Sequence, residues 1–134
     1  GCDMLTCIDF SRCTSLRELG GFERCAALAS IDLSACTALR TIDHAFGGCT
    51  ALATVTLPSA VESIGGGAFV DCHSLTTVDF SRCMALRELG GFQGCGALQS
   101  VDLSNCTALT TISSSALEGN RIPTPLKTDS QCGA

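Results

Sequence analysis

The sequence predicts a repeat solenoid in which short parallel strands stack coil on coil. Leucines open equivalent segments at Leu5, Leu28, Leu52, Leu75 and Leu98. That regular recurrence falls within the roughly 20 to 50 residue period that marks a solenoid or an array. All six phenylalanines fall into columns of that repeat. The chain is 46% hydrophobic yet holds no Trp or Tyr, which suits a thin, evenly layered core of Leu, Ile, Val, Ala and Cys.

Within each unit the apolar columns come in a fixed order. Ile8, Ile31, Val55, Val78 and Val101 follow the opening leucines, and two residues later come Phe10, Leu33, Leu57, Phe80 and Leu103. A spacing of two is strand-like, so both columns point inward and the residue between them points out. Cys13, Cys36, Cys83 and Cys106 come next, with Ala60 nearest to them in the third unit. Leu16, Leu39, Val61, Leu86 and Leu109 precede a further column of Leu19, Ile42, Ile64, Leu89 and Ile112. Each unit closes on Phe22, Phe46, Phe69, Phe92 or Leu117, followed three residues on by Cys25, Cys49, Cys72, Cys95 or Asn120.

These columns divide 1–120 into a solenoid of five coils, 5–27, 28–51, 52–74, 75–97 and 98–120, followed by a polar cap or disordered tail over 121–134. Glycine runs at 20–21, 47–48, 65–67 and 90–91 break regular helix, so short strands, β-turns or 3-10 turns are expected on the return side. Pro123 and Pro125 oppose further strand pairing. No coil buries its own apolar side, and only stacking completes the core. A longer period lies on top: segments 5–42 and 75–112 are identical at 27 of 38 positions, an offset of three coils. The array is therefore expected to have grown by duplicating a three-coil block, and a parent chain to carry more coils.

The pattern L-x-x-I-x-L-x-x-C-x-x-L, as in Leu28, Ile31, Leu33, Cys36 and Leu39, resembles the leucine-rich-repeat consensus. The third unit, LATVTLPSAVESIGGGAFVDC, resembles the repeat of BspA-type surface proteins, with its L-P, S-I-G and A-F-x-x-C elements. The IDLSACTALRTI stretch is similar to the cysteine-bearing repeats of intracellular proteins. The resemblance runs from Leu5 to about position 120. It implies a right-handed coil with a parallel strand row, short turns or 3-10 segments on the convex side, and a surface that binds other proteins.

Charge and motifs exclude several functions. A net charge of −5 and a pI near 4.7 argue against nucleic acid, because phosphate binding needs a basic footprint. No apolar run approaches the roughly 20 residues that cross a bilayer, so no membrane insertion is expected. The sequence begins at Gly1 without a charged and then apolar leader, and a processed chain or a fragment is expected. There is no nucleophile elbow, no phosphate-cradling G-x-x-x-x-G-K-S/T and no histidine-based triad. Neither an enzyme nor a cofactor is expected.

Eight of the eleven cysteines occupy the two inward columns, where a free thiol behaves as a small buried hydrophobe. Disulfides along a column, Cys13–Cys36 and Cys83–Cys106, are the alternative: stacking brings their Cα atoms to about 5 Å, but parallel Cβ vectors give poor dihedral geometry. Cys2, Cys7 and Cys132 lie outside the columns, and a Cys2–Cys7 bridge is an option at the first coil. No C-x-x-C pair occurs, so no metal site is read, and His44 and His73 are turn residues. A thiol-rich interior fits a reducing, intracellular compartment, whereas the BspA-like unit points to the cell surface or secretion.

The outward residues of the strand row form the candidate binding face: Asp9, Arg12, Ser30, Asp32, Thr54, Thr56, Thr77, Asp79, Arg82, Ser100 and Asp102. Cys7, Ser11, Ser34, Pro58, Ser81, Ser104, Ala35, Ser59 and Asn105 complete its columns. The face is acidic, rich in hydroxyls and without aromatic anchors, so it does not read as a hot-spot patch. The D-x-S spacing lets each aspartate cap neighbouring backbone or hydroxyl donors, and Arg12 and Arg82 soften repulsion in their own coils. Repeated environments do not drive carboxylate pKa values apart, which argues against acid–base catalysis. The expected function is a protein–protein interaction module, part of a larger protein or assembly. A surface or secreted BspA-like adhesin fragment is the first alternative, and a structural spacer stacking on another subunit or on missing coils is the second.

Overall fold

A computed structural model of the chain describes residues 3–120, so the tail read over 121–134, together with Cys2 and Cys132, lies outside the described residues. Eight short strands follow one another: β1 (Glu18–Leu19), β2 (Ser30–Asp32), β3 (Thr41–Ile42), β4 (Thr54–Thr56), β5 (Ser63–Ile64), β6 (Thr77–Asp79), β7 (Glu88–Leu89) and β8 (Thr111–Ile112). All pair in parallel, and they form two ladders, β2-β4-β6 and β1-β3-β5-β7-β8. In the first, Ile31 pairs with Val55 and Val55 with Val78. In the second, Leu19, Ile42, Ile64, Leu89 and Ile112 stand in one row. This is a β-solenoid without a helix among the described residues.

Of the short strands, β-turns or 3-10 turns expected on the return side, the short strands form there and make the longer ladder. Its strands read E-L, T-I or S-I, with the second residue turned into the core. Their backbone groups bond to the neighbouring coil rather than to the next turn of their own chain. Asp43 N donates to Leu19 O at 3.1 Å, Gly65 N to Ile42 O at 2.8 Å, Gly90 N to Ile64 O at 2.8 Å and Ser113 N to Leu89 O at 2.9 Å. Local bonds appear at corners, where Cys36 N donates to Leu33 O (3.0 Å) and Leu39 N to Cys36 O (3.1 Å). Each corner cysteine therefore links two consecutive tight turns.

One continuous core runs the length of the stack. Leu28, Leu52, Leu75 and Leu98 are fully buried, as is the pair Ile42 and Leu39. Phe22, Phe46, Phe69 and Phe92 form a stack of near-parallel rings, with centroids 5.7, 5.6 and 5.0 Å apart. Phe10 and Phe80 meet that stack edge-on. The core thins at the ends, where Leu5, Ile8, Cys13, Leu16 and Phe22 at one and Ile112 and Leu117 at the other are partly exposed, and Val78 on β6 is also only half-buried.

Two local features depart from the sequence reading. Pro58, assigned to the outward face, is buried, and its carbonyl accepts the Cys83 thiol at 3.8 Å. Without an N–H, Pro58 cannot make the bond to the residue two before it that Ser34 and Ser81 make at the same position of the repeat. The second is a column of left-handed backbone on the return side: Arg24 (φ 61°), Gly48 (75°), Asp71 (59°), Gly94 (79°) and Gly119 (80°). Glycine fills three of these five positions, as the conformation favours.

Candidate binding surface

The strand row places the predicted face as one exposed strip. Asp9, Arg12, Ser30, Asp32, Thr54, Thr77, Asp79, Arg82, Ser100 and Asp102 are all exposed, and Thr56 is half-buried. Register brings Ser30, Thr54 and Thr77 into one row, and Asp32, Thr56 and Asp79 into the next. Asp9 and Asp102 sit in the outer coils, beyond the paired strands.

Each aspartate on this face is held the same way. Its Oδ1 accepts the backbone N–H of the serine two residues on: Ser11 to Asp9, Ser34 to Asp32 and Ser81 to Asp79 at 2.9 Å, and Ser104 to Asp102 at 3.0 Å. The D-x-S spacing is thus an Asx turn that ends the strand and leads into the corner. The serine hydroxyl and N–H hold Asp9, Asp32 and Asp79 below the usual carboxylate range. Arg82 adds to this at both Asp79 and Asp32, so its influence reaches across coils rather than staying within its own.

The three-coil repeat leaves two equivalent notches in the strip. One, of about 200 Å³, lies between Asp9 and Asp32; the other, of about 110 Å³, lies between Asp79 and Asp102. The second is narrower where Asn105 reaches across to donate to Ser81 O at 3.1 Å. Ala35 stands at the corresponding place in the first and spans nothing. On the opposite edge a shallow groove of about 300 Å³ is lined by Glu23, Arg24, His44 and Asp71 among others. Sequence reasoning passed over it, although the glycine column at Gly48, Gly94 and Gly119 was a signal for the turn geometry that shapes it. Among the described residues no group of three or more His, Cys, Asp or Glu is placed to hold a metal ion, and no helix is long and apolar enough to cross a membrane. His44 sits in a turn at φ 49°, and His73 donates from Nδ1 to Gly94 O at 3.2 Å.

Behind the face, the nine described cysteines are free thiols, Cys7 exposed and Cys13 half-buried, the others buried. Most of the buried ones are donors rather than mere filler. Cys49 Sγ donates to Phe22 O (3.3 Å), Cys72 to Phe46 O (3.2 Å) and Cys95 to Phe69 O (3.1 Å). Longer contacts run from Cys36 to Phe10 O (3.9 Å) and from Cys106 to Phe80 O (3.8 Å). Each of these thiols satisfies a carbonyl of the preceding coil that the corner would otherwise leave half-paired.

Burial pushes the thiols of Cys49 and Cys106 up to about 11 and that of Cys83 up to about 12, whereas the adjacent Cys72 thiol holds Cys95 below its ordinary value. A thiol whose folded pKa is raised contributes its full stability below the unfolded value near 9 and loses it as pH rises toward the folded one. Thermal scans are therefore expected to fall steeply between pH 9 and pH 12, with Tm at pH 11 on the order of 10 °C below that at pH 8. A flat profile across that window would show that the thiols are not buried as described.

Known proteins place this geometry in a family. The BspA type leucine rich repeat region matches residues 18–128 in six copies. Among solved structures, the chain is similar to a leucine-rich repeat protein from Eubacterium ventriosum, at 28% identity and a TM-score of 0.55, over 86% of this chain and 37% of that one. It is also similar to a leucine-rich repeat protein from Bacteroides ovatus, at 23% identity and a TM-score of 0.48, over 81% of this chain and 40% of that one. The chain thus spans well under half the length of either. No curated protein matches it in sequence. With the repeat matched across most of its length and the parallel solenoid in place, the chain belongs to the BspA-type leucine-rich-repeat family.

Proposed function

We propose that the chain is a protein-interaction module that engages a basic partner surface through the acidic strip of its strand row. Repeats of this kind generally mediate protein–protein interaction. The observation that carries the finer reading is the set of four exposed aspartates, each fixed by a serine N–H at 2.9 to 3.0 Å. Prefixed carboxylates lose little freedom when a Lys or Arg side chain meets them, so the strip is organised before binding. Its charge steers a cationic partner more than it adds raw affinity.

Affinity capture from native extract supplies the partner, and asparagine supplies the test. Changing Asp9, Asp32, Asp79 and Asp102 together to Asn removes four charges while Oδ1 still accepts the serine N–H. Partner affinity is expected to fall by roughly tenfold or more and its salt dependence to flatten. Tm is expected to move by only about 2 °C, since no buried contact changes. Unchanged affinity would show that the strip is not the interface.

A second reading, a cell-surface or secreted fragment contacting host or matrix proteins, is favoured by the L-P, S-I-G and A-F-x-x-C pattern of 52–74. Thiol titration of the native protein before and after denaturation separates the two. Thiols that are all recovered on unfolding support a reducing compartment, and bridged ones support the surface reading.

A further inference from the structure

Where the chain enters the longer ladder, it carries a row of exposed arginines. Arg17, Arg40, Glu62, Arg87 and Thr110 hold one position in successive coils, and the backbone keeps them in line. Each carbonyl accepts the N–H of the next member: Arg17 O from Arg40 N (2.9 Å), Arg40 O from Glu62 N (2.8 Å), Glu62 O from Arg87 N (2.8 Å) and Arg87 O from Thr110 N (3.0 Å). The side chains are less settled. Arg17, Arg40 and Arg87 are exposed, and the one ion pair among the described residues joins His44 to Asp43. Glu88, beside the row, is engaged by the Ser63 hydroxyl at 3.4 Å. Arg17 and Arg40 thus stand one coil apart without a carboxylate in contact, and like charges side by side on a ladder are destabilising until something opposes them.

The row matches the acidic strip coil for coil. The strip carries aspartate in the first, second, fourth and fifth coils and Thr56 in the third. The row carries arginine in the first, second and fourth coils and Glu62 in the third. Where one skips its negative charge, the other skips its positive charge and turns negative. Both rise by the same step of about 4.8 Å per coil, because both belong to the same coils. Laid against the strip of a second copy, Arg17, Arg40 and Arg87 meet Asp9, Asp32 and Asp79, and Glu62 meets the Thr56 hydroxyl. With the neighbour's axis reversed they meet Asp102, Asp79 and Asp32, and Glu62 still meets Thr56. An aspartate in place of Thr56 would set two carboxylates against each other in both cases.

We infer that the arginine row is a docking face for the acidic strip of a second copy of this chain, so that solenoids associate side by side. The inference rests on reading the strip as a surface that meets cations, and it names this chain as one such partner. A second copy is the fitted occupant, since any other acidic surface would need charges at the same rise with the same gap. Every copy carries both faces, so the contact is heterologous and does not close at a dimer. Exposed ion pairs are individually weak and screened by salt, so the association is weak and sensitive to ionic strength.

Sedimentation of the full chain tests this at about 0.1 M salt, where the net charge of −5 is screened beyond about 10 Å. The average mass is expected to climb past that of a dimer as concentration rises, and to return to the monomer at about 1 M salt. Two variants each remove one face: Arg17, Arg40 and Arg87 changed together to Gln, and the four aspartates of the strip changed to Asn. Either alone is expected to associate roughly tenfold more weakly than the parent, or less still. Mixed in equal amounts, they are expected to form a dimer and nothing larger, since one strip and one arginine row remain between them. An oligolysine peptide reports on the strip separately, and the Gln variant is expected to bind it as the parent does. A parent that stays monomeric, a Gln variant that associates like the parent, or a mixture without dimer overturns the inference while peptide binding leaves the strip's reading standing. A parent that binds no oligolysine overturns both.

Discussion

Phe69→Ala is expected to cost about 4 kcal/mol and to lower Tm by roughly 15 °C. Phe69 is fully buried and is an inner ring of the stack, 5.6 Å from Phe46 and 5.0 Å from Phe92. Removing it takes away its own burial and two ring pairs at once, each pair worth about 1 kcal/mol beyond area. The cavity does not close easily, because the coils above and below are held apart by backbone ladders whose spacing is set by hydrogen bonds. Since domains of this size hold only about 5 to 15 kcal/mol in all, the variant sits near the edge of folding. Phe22→Ala is the control: its ring is half-buried at the open end, so the loss is expected to be about half as large. Urea denaturation of the pair checks both, and equal losses would mean that the terminal coil is packed as tightly as the middle.

Gly91→Ala is expected to destabilise by about 3 kcal/mol, and Gly21→Ala by about 1 kcal/mol. Both substitutions force an L residue into left-handed backbone, which accounts for the shared part. Only at Gly91 does the new methyl collide with a carbonyl oxygen, that of Gly65, and with Ala68. The oxygen belongs to a backbone held on its other side by Gly65 N donating to Ile42 O at 2.8 Å, so it does not swing away. Two identical substitutions at identical repeat positions thus differ through neighbours alone. Calorimetry of the two variants measures the difference directly, and similar Tm values would sink the account.

The columns of the sequence were legible because each obeys a period that survives the whole chain. Leu28, Ile31, Leu33 and Leu39 were read as inward and are buried, and the row Asp32, Thr56, Asp79 was read and is in register. The D-x-S turns were foreseen from spacing alone, and four of them form. The second ladder was not distinguished from turns, because a two-residue strand such as Glu18–Leu19 is too short to show any alternation. Pro58 is buried rather than outward, because column counting fixes a residue's order in the repeat and not how far its neighbours cover it. Arg24, His44 and Asp71 adopt positive φ without being glycine, and nothing in their own identities announces that. Their columns do, since Gly48, Gly94 and Gly21 occupy equivalent places.

The thiol–carbonyl bonds that join a cysteine to a phenylalanine all reach back to the coil before. Such a bond asks only that some coil precede its own; which coil it is makes no difference. Deleting or duplicating a three-coil block hands each cysteine a new acceptor of the same kind and leaves every corner intact. Exchange between near-identical segments such as 5–42 and 75–112 would then change the number of coils and leave the cross-section of the molecule as it is.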